Sequence, residues 1–103
     1  MARTPEGAVK ARVTRILESH GDAIYRFMPV QSGLGAKTLD ILVCAYGRFL
    51  AIETKAPGKK PTPLQERCAQ KIMRARGVAL VVDGSEDSYA RLEALLKELS
   101  AAP

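Results

Sequence analysis

TLDILVCAYGRFLAIETKAPGKK, residues 38–60, holds two apolar runs joined by Tyr46-Gly47, with Asp40 near the start of the first and Glu53 near the end of the second. The dipeptide suits a two-residue hairpin turn, which predicts strands over 38–45 and 48–55 and pairs residues whose numbers add to 93. Asp40 then lies directly opposite Glu53. Side chains alternate along a strand, so Glu53 and Lys55 share one face. Directly opposed residues have Cβ atoms about 4.5–5.5 Å apart, and two like charges at ~4 Å repel by roughly 4 kcal/mol at an effective dielectric near 20. An ordinary sheet would not carry that cost, so something positive is expected between the two acids. Hard carboxylate oxygens favour Mg²⁺ or Mn²⁺, and Lys55 adds a second positive charge. The bland alternative makes Asp40 and Glu53 solvent-facing strand ends with Lys55 as a surface partner. It sits poorly with an Asp40 flanked by Leu39, Ile41 and Leu42 and a Glu53 that directly follows Phe49 to Ile52.

Around this hairpin the chain reads as αβββαβα. Thr4-Pro5-Glu6 is an N-cap, a first-turn proline and a first-turn acid, and Val9, Val13, Ile16 and Leu17 form one stripe, predicting a helix over 5–20. Glu6 extends that stripe, which marks it as a candidate functional acid. His20, in the last turn, reads as a surface residue rather than a ligand. Residues 23–30 read as a strand and 31–37 as a glycine-containing loop. Thr62 and Gln65 have capping-box spacing before a helix that Gly77 ends, with Leu64, Cys68, Ile72 and Ala75 on its expected core face. Val78 to Val82 reads as a strand covered on both faces, followed by a helix with a Tyr89, Leu92, Leu96 and Leu99 stripe. A hairpin followed by a strand-helix-strand crossover implies an α/β fold with a mixed central sheet flanked by helices.

A chain of 103 residues suits one domain, with 47% hydrophobic and 26% charged residues as in ordinary globular proteins. No signal-like segment or run of ~18 apolar residues appears, so a cytoplasmic protein with no membrane partner is expected. Cys44 and Cys68 both sit on apolar runs and read as buried free thiols. The net charge of +5 is unevenly spread: residues 48–76 carry +6, while residues 83–98 carry −3. A basic stretch of this kind suits a polyanion such as nucleic acid, although an ordinary solvated helix face has the same composition.

Asp40, a spacer of twelve residues and Glu53-Thr54-Lys55 resemble the PD-(D/E)XK nuclease signature. With Gly35, Leu39 to Val43, Ile52 to Gly58 and Gln65, the pattern over roughly residues 5–98 is similar to the small virus-type VRR-NUC domain, and the Ser32-Gly33 loop is similar to that of archaeal Holliday junction resolvases. Leu39 stands where the motif usually has proline. The resemblance implies a restriction-endonuclease-like αβββαβ(α) core and a Mg²⁺- or Mn²⁺-dependent endodeoxyribonuclease acting on branched DNA such as Holliday junctions, in a bacterial or phage-infected cytoplasm. It implies that Asp40, Glu53 and the Thr54 carbonyl hold the metal, with Glu6 reaching it directly or through water. The metal would make a bound water more acidic and stabilise the phosphate, and Lys55 would orient that water or neutralise the transition state. Gln65 would support the site from outside the ligand shell while also capping its helix. Ser32, Lys37, Lys59, Lys60, Arg67, Lys71 and Arg74 are the expected DNA contacts, reading backbone rather than sequence. Two symmetric cuts across a four-way junction imply a homodimer.

GLGAKT, residues 33–38, fails as a phosphate-binding loop because Ala36 separates Gly35 from Lys37 and a strand follows. The rival readings are a non-catalytic nucleic-acid-binding module and an accessory subunit of a recombination or restriction assembly. Divalent-metal-dependent cleavage separates the enzyme from both.

Overall fold

A computed structural model describes residues 4–31 and 37–102 of the chain. Four strands form one sheet in the order β1-β2-β3-β4, where β1 is Ile24–Phe27, β2 Ile41–Ala45, β3 Arg48–Thr54 and β4 Val78–Val82. The first three strands are antiparallel and β4 runs parallel to β3. Helix α1 (Pro5–Glu18) precedes the sheet, α2 (Pro63–Arg74) makes the β3-to-β4 crossover and α3 (Glu86–Ala101) closes the chain. The architecture is α/β, with a mixed sheet flanked by helices.

The hairpin turns as its dipeptide requires. Tyr46 and Gly47 both have positive φ, 53° and 79°, the backbone of a type I′ turn, whose twist matches the flanking strands. Pairing follows the expected register, from Ala45 opposite Arg48 to Ile41 opposite Ile52. Tyr46 is an unfavourable residue for positive φ, and two contacts hold it there: its N–H donates to the Ala23 carbonyl at 3.0 Å, and its hydroxyl lies 2.6 Å from His20 Nδ1. His20 is therefore half-buried and engaged in the fold.

One sheet face carries the core. Val9, Val13 and Leu17 of α1 and Tyr89, Leu92, Leu96 and Leu99 of α3 pack against Ile41, Val43, Leu50, Ile52 and Val82. Arg12 joins the two helices, its guanidinium 4.0 Å from the Tyr89 ring centroid and bidentate to Glu86 at 2.8 and 2.9 Å. Thr4, Thr62 and Ser85 cap the three helices, and Thr62 with Gln65 completes a capping box.

The opposite face is only half covered, because α2 packs on β4 and β3. Three expectations change. Cys44 points to the uncovered side and is exposed, and Cys68 is half-buried, so neither is a core thiol. The inward side of α2 carries Gln65, Cys68, Ala69 and Ile72, while Leu64 and Ala75 are exposed, so the helix is rotated relative to its apolar stripe. β4 is covered by α2 on one face and α3 on the other, as expected, and as an edge strand it stays half-buried over most of its length. β1 and β2 are also shorter than expected, and Asp40 lies one residue before β2. At the helix end, Gly77 permits close approach: a Cβ there would meet Phe49 Cδ2 and Ile72 Cγ2 at 2.9 Å.

Candidate functional site

Alternation along β3 sends Leu50, Ile52 and Thr54 toward the α1/α3 core and Ala51, Glu53 and Lys55 toward α2. The end of β3 thus places a carboxylate and an ammonium on the face where α2 begins. Glu53 is only 2% exposed, and three donors converge on it. Its Oε1 accepts from the Asp40 N–H at 3.2 Å, and its Oε2 accepts from Gln65 Nε2 at 2.6 Å and lies 3.4 Å from Lys55 Nζ. Lys55 is itself largely buried, with 13% side-chain exposure, so this ion pair is shielded from water.

Asp40 is fixed from the other direction. Its Oδ2 accepts from the Thr54 N–H at 3.1 Å and from the Thr54 hydroxyl at 2.7 Å. The two acids are therefore cross-tied: the backbone of Asp40 holds the carboxylate of Glu53, and Thr54, the next residue, holds the carboxylate of Asp40. The expected opposition of the acids is realised, with Asp40 just outside the ladder where its side chain can reach β3.

Gln65 fills two roles at once. Its Oε1 accepts from the Thr62 N–H at 2.9 Å, closing the capping box, and its Nε2 donates to Glu53. The cap fixes which end of the amide faces Glu53, so the start of α2 orients the carboxylate. A cavity of about 180 Å³ opens beside them between α2 and the sheet, lined by Leu39, Glu53, Gln65, Ala69, Met73 and Leu80 among others.

Burial foremost, and then the facing Asp40 charge, push the Glu53 carboxyl above its ordinary range, while Lys55 pulls it back. Glu53 therefore holds its proton more tightly than a surface carboxyl would. A hard divalent cation relieves the same imbalance without a proton, and the donor set suits one that keeps several of its waters: two carboxylates beside a strand-end carbonyl. Among the described residues no group of three or more His, Cys, Asp or Glu side chains gathers. Glu6 is half-buried in the first turn of α1 and makes no hydrogen bond or ion pair with Asp40, Glu53, Thr54 or Lys55 among the described residues.

Lys37, Lys59, Lys60, Arg67, Lys71 and Arg74 are all exposed, and none makes an ion pair among the described residues. Lys37 shares a pocket with Gln65 at the start of α2, and Lys59 and Lys60 belong to the loop leaving Lys55. Arg67, Lys71 and Arg74 repeat at i, i+4 and i+7 on one outward stripe of α2. Ser32 lies outside the described residues. The side-chain role of Thr54 was not expected; the available signal was a hydroxyl at a core-facing position of β3, since a buried hydroxyl needs a partner.

Comparison with protein-family models gives no match, and no curated protein or solved structure matches the chain significantly.

Proposed function

We propose that this protein is a divalent-metal-dependent, structure-specific DNA endonuclease of the PD-(D/E)XK superfamily, similar to VRR-NUC domains and Holliday junction resolvases. The observation that carries the reading is the carboxylate pair of half-buried Asp40 and buried Glu53, cross-tied by hydrogen bonds and flanked by the partly buried ammonium of Lys55. A fold has little reason to bury that arrangement for stability alone, since a buried ion pair is often no better than apolar packing. The element order αβββαβα, with three antiparallel strands and a fourth parallel to the third, also supports a restriction-endonuclease-like core.

Asp40 and Glu53, with the Thr54 carbonyl, would hold Mg²⁺ or Mn²⁺. A cation held there supplies Lewis-acid stabilisation of the scissile phosphate and a more acidic water. Thr54 keeps Asp40 aimed through two hydrogen bonds, and Gln65 keeps Glu53 aimed through one. Lys55 stands close enough to Glu53 to offer positive charge to a phosphate at the same place. Lys37, Lys59, Lys60, Arg67, Lys71 and Arg74 hold backbone phosphates on either side, which positions DNA without reading its sequence. The lack of base-reading machinery in this assignment favours recognition of branched shape, and paired cuts across a junction call for two copies of the chain.

Labelled four-way junctions, flaps, nicked duplexes and splayed arms incubated with Mg²⁺ or Mn²⁺ test the proposal. Cleavage of a branched substrate by wild type, abolished in Asp40→Asn, is expected. Metal-independent binding of these DNAs with no cleavage by wild type would instead make the chain a nucleic-acid-binding module.

A further inference from the structure

The cavity between α2 and the sheet holds about 180 Å³, and Leu39, Ala69, Met73 and Leu80 give it an apolar wall. An apolar cavity of about 150 Å³ is already large enough to take up a benzene ring. This one differs in the charge of the side chains that reach it. Glu53 and Glu66 line it, and no Lys, Arg or His does so among the described residues. Glu53 is buried, whereas Glu66 is exposed in the first turn of α2, which puts one acid in the wall and the other at the mouth.

We propose that this cavity is a binding site for a compact organic ammonium ion, an apolar body of about benzene size carrying one protonated amine that pairs with Glu53. Three donors already meet that carboxylate, from Asp40, Gln65 and Lys55, while an ionised carboxyl offers about four acceptor sites. The Lys55 contact of 3.4 Å is also longer than a close charge-assisted bond, which spans about 2.7–2.9 Å. Two carboxylates, Asp40 and Glu53, thus share one loosely held ammonium, and a cation entering from the α2 side supplies the missing positive charge. A phosphate or any other anion meets only acids in this cavity, which rules out a nucleotide as its occupant. Met73 favours an aryl body, because a flexible thioether adapts its shape to a ring and makes favourable contacts at the ring edge.

Occupancy bears on the proposed activity, and that consequence alone rests on the nuclease reading. A divalent cation held by Asp40 and Glu53 neutralises the same excess charge as the ammonium. Each therefore weakens the other, and linkage makes the factor the same in both directions. A small amine seated behind Glu53 is accordingly an inhibitor that competes with the metal in charge without occupying its place.

Benzylamine, its uncharged isostere benzyl alcohol, and phenylacetate, titrated into the metal-free full chain at about pH 7, test the proposal by calorimetry and by backbone amide NMR shifts. The amine is expected to bind with a dissociation constant of roughly 0.1–1 mM, as suits about eight heavy atoms, with shifts centred on Ala69, Met73 and Leu80. The alcohol should bind at least about tenfold more weakly and the carboxylate should not bind. Ala69→Leu fills the cavity, and Glu53→Gln removes the charge while keeping the shape; each should lower the affinity for the amine at least about tenfold, and the second decides the matter if the first does not fold. Absence of saturable binding by about 10 mM overturns the proposal, as do equal binding of the alcohol, shifts centred elsewhere, or a folded Glu53→Gln protein with wild-type affinity. Saturating Mg²⁺ should raise the apparent dissociation constant of the amine at least about threefold. An unchanged constant in a chain whose Asp40 and Glu53 amides respond to Mg²⁺ overturns the inhibitory role. A chain that binds the amine in this cavity but no Mg²⁺ bears out the ammonium site and refutes only the metal-dependent nuclease.

Discussion

Replacing Glu53 with glutamine should change how stability depends on pH, in a direction the site dictates. Folding tightens the proton on Glu53, chiefly by burial and then by the facing charge of Asp40. A carboxyl whose folded pKa is raised contributes most favourably at low pH and loses that contribution as pH rises through the folded value. The loss begins near the ordinary pKa of 4.5 and is complete once the folded carboxyl has ionised. Every tenfold gain in proton affinity on folding costs about 1.4 kcal/mol above that window. For a domain of this size that is roughly 5–10 °C in melting temperature. Glu53→Gln has no proton to lose, so its melting temperature relative to wild type should climb between about pH 4 and pH 8.

The absolute offset between the two proteins is set by opposed effects of similar size. Repulsion from the facing Asp40 charge opposes attraction to Lys55, which at 3.4 Å is about 5 kcal/mol at an effective dielectric near 20 before desolvation is counted. Against the relief of a buried charge stands a lost acceptor. Three donors converge on Glu53, an amide has one acceptor oxygen, and Gln65 cannot turn its own oxygen inward without breaking the capping box. An orphaned buried donor costs about 1–3 kcal/mol. The pH trend of the difference is therefore the discriminating quantity, because titrating groups that do not interact with Glu53 are common to both proteins and cancel. Thermal melts of both proteins across this pH range, without divalent metal, provide the measurement. A difference that is flat or falls with pH would show that Glu53 is ionised at no cost and would remove the electrostatic argument for a cation.

Mg²⁺ or Mn²⁺ at a hundred times its dissociation constant should stabilise wild type by about 2.7 kcal/mol and Glu53→Gln far less; equal metal-induced melting shifts would place the ion elsewhere. Thr54→Val removes a buried 2.7 Å hydrogen bond to a carboxylate and should destabilise by about 1.5–3 kcal/mol and weaken metal-dependent stabilisation, with Thr54→Ser restoring the latter; a valine variant with the wild-type metal response would make the hydroxyl dispensable. Lys55→Ala should lose cleavage but keep a metal-induced melting shift, because an ammonium has no lone pair to donate. It should also move the pH-dependent loss of stability to higher pH, since Lys55 holds the Glu53 carboxyl down. Lys59→Ala with Lys60→Ala should flatten the slope of log binding constant against log salt by about 1.8 on duplex DNA, equally for all DNA shapes, and an unchanged slope would route the DNA away from this loop.

What the sequence revealed and what it concealed divide along a physical line. The hairpin was readable because Tyr46-Gly47 suits a two-residue turn, and that turn, rather than a three-residue one with a bulge, fixes every pair from Ala45 and Arg48 to Ile41 and Ile52, carrying Asp40 to Glu53. Capping of α2 was equally readable because Thr62 and Gln65 interact through bonds three residues apart. The rotation of α2 was not readable, because an apolar stripe identifies the inward face only when that face is wholly apolar. Gln65 must look inward to reach Glu53, which turns Leu64 outward, so the polar site reverses the rule that would have located it. Exposure of Cys44 follows from the same placement. An apolar run predicts cover but not its source, and a twelve-residue helix set over β3 and β4 cannot also reach β1 and β2. Thr54 was legible only as the spacer between Glu53 and Lys55; its hydroxyl acquires meaning when alternation sends it to the core side, where the carboxylate of Asp40 is its partner. The groups hardest to foresee are thus those that orient the two acids, because their role depends on contacts between elements, while the acids themselves are marked by a charge that an apolar strand would otherwise exclude.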